Sequence, residues 1–336
     1  MKKISIIGAG SFGTALSVIL ARNGRSVTLW ARETEVAEGI NANRFNPSYL
    51  SDVELPESVI CTTDYRDALP DAEMVVIATP SHAVREVAET IRPYLDGDEL
   101  VVAVSKGIEE NTFMTMSRVL IDVLEGTVAK DRIGVLYGPS HAEEVGHFKP
   151  TTVVAAAYSK RTAIAIQETF MTPMFRVYLN HDITGVEIGG SLKNIMAIAA
   201  GIVDGAELGD NAKAALITRG LHEMKRMGTM LGASPDTFSG LTGMGDLIVT
   251  CTSKHSRNRY VGYKIGRGEK FDDIIAGMNM IAEGIKTARS VHHWAERNHV
   301  EMPITEAVYN VLFHEVEPGD ALYELMTRIA KEEIII

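Results

Sequence analysis

Lys3-Ile4-Ser5-Ile6-Ile7-Gly8-Ala9-Gly10-Ser11-Phe12-Gly13 is the stretch that decides the fold. Its first five residues form a short apolar run rich in β-branched side chains, the pattern of a buried strand. The next six read G-x-G-x-x-G, and residues 14–23 continue as an apolar, small-residue helix. A strand, a tight glycine turn and a helix N-terminus together make a site for a pyrophosphate. Gly8 permits the turn, Gly10 lets backbone approach the phosphates, and Gly13 lets the helix pack on the strand. The helix end adds N–H groups without intrahelical partners and the positive end of its dipole. Glycines close ordinary turns too, but here the strand before and the helix after supply the required context.

Outward from this unit the chain alternates strands and helices. Ser26-Val27-Thr28-Leu29-Trp30 is the second strand. An NAD-binding unit usually ends this strand with an acidic residue for the ribose 2′-hydroxyl. Here Ala31-Arg32-Glu33 follows, and the Arg32 guanidinium suits a 2′-phosphate, favouring NADP over NAD, with Glu33 able to neutralise part of that charge. A long loop spans 43–57 and carries Tyr49. Further strands are expected at 59–62, 73–78, 99–104, 132–137, 152–157 and 176–179, with a helix at 160–171 between the last two. Ser81 reads as the N-cap of a helix through Ile91. Ser105-Lys106-Gly107 stands at the C-terminal end of the fifth strand, where open α/β sheets bind ligands. Gly138-Pro139-Ser140-His141-Ala142 resembles a nucleophile elbow, which would make Ser140 an acyl-transfer nucleophile. The elbow's final glycine is absent, however, and Ser140 with Glu143 three residues on is explained by a capping box.

At 336 residues the chain suggests two domains, and its composition is that of a globular protein. The net charge of −11 argues against general nucleic-acid binding and requires local cations for any anionic substrate. Cys61 and Cys251 lie too far apart in sequence to suggest a disulfide framework or a metal cluster, and the ten histidines show no ligand spacing, so no metal is expected. No apolar run reaches the length of a membrane span, no signal peptide is seen, and a cytoplasmic location is expected.

After Asn180 the strand signals stop. The predicted architecture is therefore an α/β domain over 1–183, a Rossmann-type doubly wound sheet, followed by an all-helical domain over 184–336. Between Gly189 and Val203 only Lys193 carries a charge, and a helix that is apolar on every side is buried. Bounded by Glu187 and Asp204, it reads as too short to cross a bilayer. Burying an ammonium is costly unless it is paired, and burial lowers its pKa, so Lys193 is a candidate proton donor and acceptor. A lysine snorkelling from the first turn to solvent is the alternative. The next helix, 211–231, presents a core stripe. Gly243-Met244-Gly245-Asp246 follows, and if a helix begins there Asp246 and Thr250 share a face; both could bind substrate hydroxyls or fix the lysine, or Asp246 could simply cap. Ser256-Arg257-Asn258-Arg259 is a cationic helix start suited to a phosphate. Glu283 opens a later helix as a dipole partner or a cofactor contact.

Taken together, the glycine fingerprint, Ser105-Lys106-Gly107, Gly138-Pro139-Ser140, Gly190-Ser191-Leu192-Lys193-Asn194, Gly243-Met244-Gly245-Asp246 and Ser256-Arg257-Asn258-Arg259 resemble the bacterial NAD(P)-dependent glycerol-3-phosphate dehydrogenase family over nearly the whole chain. The resemblance implies interconversion of sn-glycerol 3-phosphate and dihydroxyacetone phosphate, supplying phospholipid synthesis, and the family's habit implies a homodimer. It makes Lys193 the proton donor in reduction and the acceptor in oxidation. It assigns Lys106, Gly138, Ser140, Lys193, Asp246, Ser256, Arg257 and Asn258 to the substrate. It assigns Gly8, Gly10, Ser11, Phe12, Gly13, Arg32, Tyr49, Lys106, Ala142, Arg257, Ile281 and Glu283 to the cofactor. Many members carry a second basic or imidazole residue where this chain has Glu33, which leaves dual use of NADP and NAD open.

Overall fold

The computed structural model describes residues 3–278, 282–330 and 332–333. Among the described residues ten strands run in chain order: β1 (Lys3–Ile7), β2 (Ser26–Trp30), β3 (Phe45–Asn46), β4 (Leu50–Glu54), β5 (Val59–Thr62), β6 (Ala72–Ile77), β7 (Leu100–Ala103), β8 (Ile133–Tyr137), β9 (Thr151–Ala157) and β10 (Phe175–Asn180). Eight of them form one sheet in the order β10-β9-β8-β7-β6-β1-β2-β5. Alternate residues of a strand face opposite sides, so a strand covered on both faces reads as an unbroken apolar run. In β6, Met74 and Val76 enter the core on one face, while Val75 and Ile77 enter the core on the other. The pairings are parallel except β8 with β9, so β9 and β10 run against the other six. The expected extension of the sheet is present, but its edge is reversed.

From β1 the chain moves to β2 and β5 on one side and then returns to β6, β7 and β8 on the other. The strand order therefore reverses between β1 and β6, where such sheets open a crevice beyond their carboxyl ends. The expected loop over 43–57 instead contains the antiparallel hairpin β3–β4, preceded by a helix, Thr34–Asn43. Ser81 does not cap a helix. It begins a short 3₁₀ turn, Ser81–Ala83, and the α-helix follows as Val84–Ile91.

From Ile183 onward the described elements are helical. The central helix, Ile183–Gly205, is 23 residues long, and only Thr184 and Asp204 within it escape burial. It is longer than its apolar stretch because Asp182 caps it, accepting from the Gly185 N–H at 2.9 Å, and because Glu187 is taken inside. Glu187 accepts from the Thr115 hydroxyl at 2.8 Å and the Ser117 N–H at 2.8 Å, while burial pushes its carboxyl above the usual range. By length and composition this helix could cross a membrane, contrary to the expectation from 189–203, yet its apolar window lies wholly inside the protein. The helices Asp210–Met230, Asp246–Thr252, Arg257–Gly266, Glu283–Asn298 and Pro303–Phe313 pack around it.

Candidate active site

The glycine turn fits the group its pattern implies. Gly8 has φ +120°, and a Cβ there would stand 2.8 Å from the Ala78 carbonyl carbon and oxygen at the end of β6. A Cβ on Gly13 would overlap the Gly8 carbonyl oxygen. Around Gly10 nothing lies within 4 Å of such an atom. Packing thus requires the first and third glycines, and the second leaves open space before the helix Ser11–Arg22, whose N-terminus no side chain caps. A pyrophosphate needs that combination of room and N–H groups.

The hairpin is tied to this turn by Asn46, a buried residue that sequence reasoning missed. Its amide donates to the Ala9 carbonyl and the Thr14 hydroxyl, both at 2.8 Å, and its carbonyl accepts from the Tyr49 N–H at 3.1 Å. Ser11 Oγ donates to the Tyr49 carbonyl at 2.8 Å, so Tyr49 stands beside the cradle. Arg32 projects into solvent with its side chain 82% exposed and donates to Glu33 at 2.7 Å; the Tyr49 hydroxyl also donates to Glu33, at 3.3 Å. The partial neutralisation of Arg32 by Glu33 is present.

Across the crevice lies a cluster of buried charged side chains. Lys193 is buried on the central helix, its ammonium donating to Asp246 and, at 2.8 Å, to the Thr250 hydroxyl. Asp246 is 1% exposed, and its second oxygen accepts from Lys106 at 2.8 Å. Lys106 also donates to the Gly138 carbonyl at 2.8 Å. One carboxylate therefore bridges a lysine from the sheet half and a lysine from the helical half. Burial lowers the Lys193 pKa to about 8, with Asp246 opposing the fall and Lys106 adding to it. Neither snorkelling nor capping describes this pair: Lys193 does not reach solvent, and Asp246, though first in its helix, turns to the ammonium groups. The π-helical turn Leu241–Gly245 delivers Asp246 to that position, an irregularity frequent at functional sites.

The cationic turn forms as a helix start, Arg257–Gly266, capped by Ser256, whose hydroxyl accepts from the Arg259 N–H at 3.2 Å. The Asn258 side chain is committed to structure: it donates to Asn194 at 3.0 Å and accepts from the Gly284 N–H at 2.8 Å. Its carboxamide keeps one further N–H beyond the one given to Asn194. Arg259 is held by Asp204 at 2.6 Å. Arg257 is exposed and, among the described residues, has no hydrogen-bond or ion-pair partner. Glu283 accepts from the Ser81 N–H at 3.1 Å and from the Ser81 hydroxyl, and Pro80, not Ser81, holds the N-cap position of the turn. This contact joins the loop after β6 to the helical half.

Ser140 forms no capping box. Its hydroxyl donates to the Gly138 carbonyl at 3.0 Å, and His141 holds the N-cap position of the helix Ala142–Gly146, with Ala142 buried. The expected contact at Ile281 lies outside the described residues. Among the described residues no group of three or more His, Cys, Asp or Glu side chains could hold a metal ion.

Comparison with known proteins identifies the family. A family model described as NAD-dependent glycerol-3-phosphate dehydrogenase N-terminus matches residues 3–163, and its C-terminus counterpart matches residues 182–323. A glycerol-3-phosphate dehydrogenase [NAD(P)+] of Salinibacter ruber is 54% identical over 99% of this chain and 97% of that protein. One from Chlorobium limicola is 53% identical over 98% of this chain and 99% of that protein. The crystal structure of glycerol-3-phosphate dehydrogenase from Coxiella burnetii superposes with a TM-score of 0.92 at 37% identity, covering 97% of this chain and 99% of that one. The chain belongs to the NAD-dependent glycerol-3-phosphate dehydrogenase family.

Proposed function

We propose that this protein interconverts sn-glycerol 3-phosphate and dihydroxyacetone phosphate, with NADP or NAD held in the glycine cradle. The observation that carries the reading is the buried Lys193–Asp246–Lys106 cluster facing the crevice of a dinucleotide fold. When bound, the nicotinamide supplies the hydride to C2 of the ketone, or takes it from C2 of the alcohol.

Everything else falls to the chain's own side chains. During reduction, negative charge develops on the C2 oxygen. Lys193 stabilises that charge and gives up a proton, combining electrostatic stabilisation with general acid catalysis. In oxidation its neutral amine takes the hydroxyl proton. A pKa of about 8 keeps both forms accessible near neutral pH. Asp246 and Thr250 fix the amine's position. The unpaired Arg257 guanidinium and the first N–H groups of its helix hold the phosphate, so binding at the unreacting end orients the carbonyl. Lys106, Gly138 and Ser140 border the substrate from the sheet half. Ser256 and Asn258 support it at the anion turn, Ser256 through its cap and Asn258 from the first turn of the helix.

For the cofactor, Ser11 and Phe12 at the helix start, Tyr49, Arg32, Ala142 and Glu283 line the route from the cradle to the crevice. Because Glu33 already binds Arg32, the 2′-phosphate gains less here than from a free guanidinium, and both cofactors are used. The division of labour falls at residue 183, with the glycine cradle before it and the acid–base lysine after it. Supply of glycerol phosphate to phospholipid synthesis, a cytoplasmic location and a homodimer complete the reading on the family resemblance. The test is NADPH and NADH oxidation followed at 340 nm, a wavelength at about the absorbance maximum of the reduced nicotinamide, on addition of dihydroxyacetone phosphate. Consumption dependent on that substrate is expected with both cofactors, and its absence with both overturns the proposal.

A further inference from the structure

His141 stands between two site residues, Ser140 and Ala142, in a loop whose other members have partners. Its Nε2 is buried and has no hydrogen-bond partner. Among the described residues only Arg25 Nε and Thr79 Oγ1 share that condition. A buried polar atom left unpaired is costly unless something else supplies the partner. Its main chain is fixed as a helix start, because the His141 carbonyl accepts from the Glu144 N–H at 3.1 Å and the Val145 N–H at 3.0 Å. Across the crevice it faces His255, with ring centroids 6.0 Å apart. His255 immediately precedes Ser256, the cap of the anion turn. The charges of Lys193, Glu143, Asp246 and Lys106 all act on the ring. His141 therefore stands within electrostatic reach of the lysine cluster and beside the residue that leads into the anion turn.

We propose that His141 reads the phosphate end of the substrate, its Nε2–H donating a hydrogen bond to a phosphate oxygen between Lys193 and the N-terminus of the Arg257–Gly266 helix. This rests on the function proposed above. A phosphate oxygen only accepts, so the proton must sit on Nε2. Burial and the Lys193 charge hold the imidazole below its usual 6.5, hence neutral at pH 7. A neutral donor adds specificity there without a further cation beside two lysines.

Two substitutions give opposite expectations for a reading role and a packing role. His141→Phe keeps an aromatic ring against His255 and loses the donor; His141→Gln keeps a donor and loses the ring. With His141→Phe, the KM for dihydroxyacetone phosphate and the Ki of inorganic phosphate rise about tenfold or more, the range for a hydrogen bond to a charged group, while kcat changes little. With unphosphorylated dihydroxyacetone, kcat/KM stays at the wild-type value. His141→Gln recovers most of the affinity. A KM for His141→Phe near wild type, or an equal loss with dihydroxyacetone, overturns the proposal. NADPH binding by fluorescence verifies that each variant is folded. If His141→Phe does not bind NADPH, His141→Gln decides alone: near-wild-type KM supports the proposal and a tenfold rise overturns it. If the wild-type protein turns over no dihydroxyacetone phosphate, the function fails first, and calorimetric binding of inorganic phosphate to wild type and His141→Phe still tests His141.

Discussion

Asp246→Asn is the substitution that probes the site most sharply, because one carboxylate holds two lysines. A full negative charge at hydrogen-bond distance from the Lys193 ammonium is worth roughly 5 kcal/mol at an effective dielectric of about 20. Even if relaxation and water leave only a third of that, the loss exceeds about one pKa unit at about 1.36 kcal/mol per unit. The side chain is buried, so no bulk solvent replaces the missing charge. Lys106, close enough to depress Lys193 already, would then act unopposed. Lys193 should fall from about 8 to below about 7. The two directions of reaction respond with opposite sign. Glycerol phosphate oxidation needs the neutral amine, so its rate rises as pH passes up through the lysine pKa; in the variant that rise moves to lower pH. Reduction needs the ammonium, so its rate falls over the same interval, and at pH 7.5 the variant loses more in reduction than in oxidation. The assay is kcat against pH in both directions, at saturating cofactor, for both proteins. If the oxidation limb stays within about 0.3 units of wild type, Asp246 does not set the Lys193 proton affinity and the proposed acid–base pair is wrong.

Lys193→Ala should lower kcat by about 100-fold to 10,000-fold, the usual range for a positioned acid–base group, while NADPH affinity measured by fluorescence changes little; near-normal kcat would refute the role. Arg257→Ala should raise the KM for dihydroxyacetone phosphate about tenfold or more, and an unchanged KM would count against the anion site. Arg32→Asp should shift preference towards NADH, read as the ratio of kcat/KM for the two reduced cofactors. In Gly262→Ala the new methyl meets the Ile198 backbone carbonyl, so the anion helix must move; a displacement of about 1 Å costs on the order of 100-fold in turnover, and undiminished kcat/KM would show that the helices have slack.

The strands were legible because burial on both faces leaves unbroken apolar runs, as in Met74-Val75-Val76-Ile77. The hairpin β3–β4 was not, because Ser51, Asp52 and Glu54 are exposed and Phe45 is only partly covered. Serine at a helix start misled twice. Ser81 lies just inside its turn, after Pro80, and donates to Glu283, 202 residues away, a partner that leaves no local pattern. Ser140 stands one residue before the N-cap His141 and donates to the Gly138 carbonyl two residues back. Lys193 was legible from its isolation in apolar sequence, and Thr250 from its spacing to Asp246. His141 had no sequence signal of its own; only burial and the missing partner of Nε2 single it out.

A carboxylate in a site meant for a phosphate looks misplaced in a protein already at −11. The alternative shows why it is needed. Without a counter-ion, burial and the Lys106 charge would lower the Lys193 proton affinity unopposed. Lys193 would then give up its proton at lower pH, and its attraction for a dianion would go with it. Asp246 prevents that at the cost of one opposing charge, leaving three cations, Lys106, Lys193 and Arg257, against a single carboxylate. Rigid placement of that set comes from backbone packing. Gly201 and Gly205 of the central helix, and Gly262 and Gly266 of the anion helix, each admit the other helix's main chain where a Cβ would collide. At these four positions main chain meets main chain, so the spacing between Lys193 and the Arg257 turn is set by backbone contact, and in the proposed reaction a substrate held at one end has its carbonyl presented at the other.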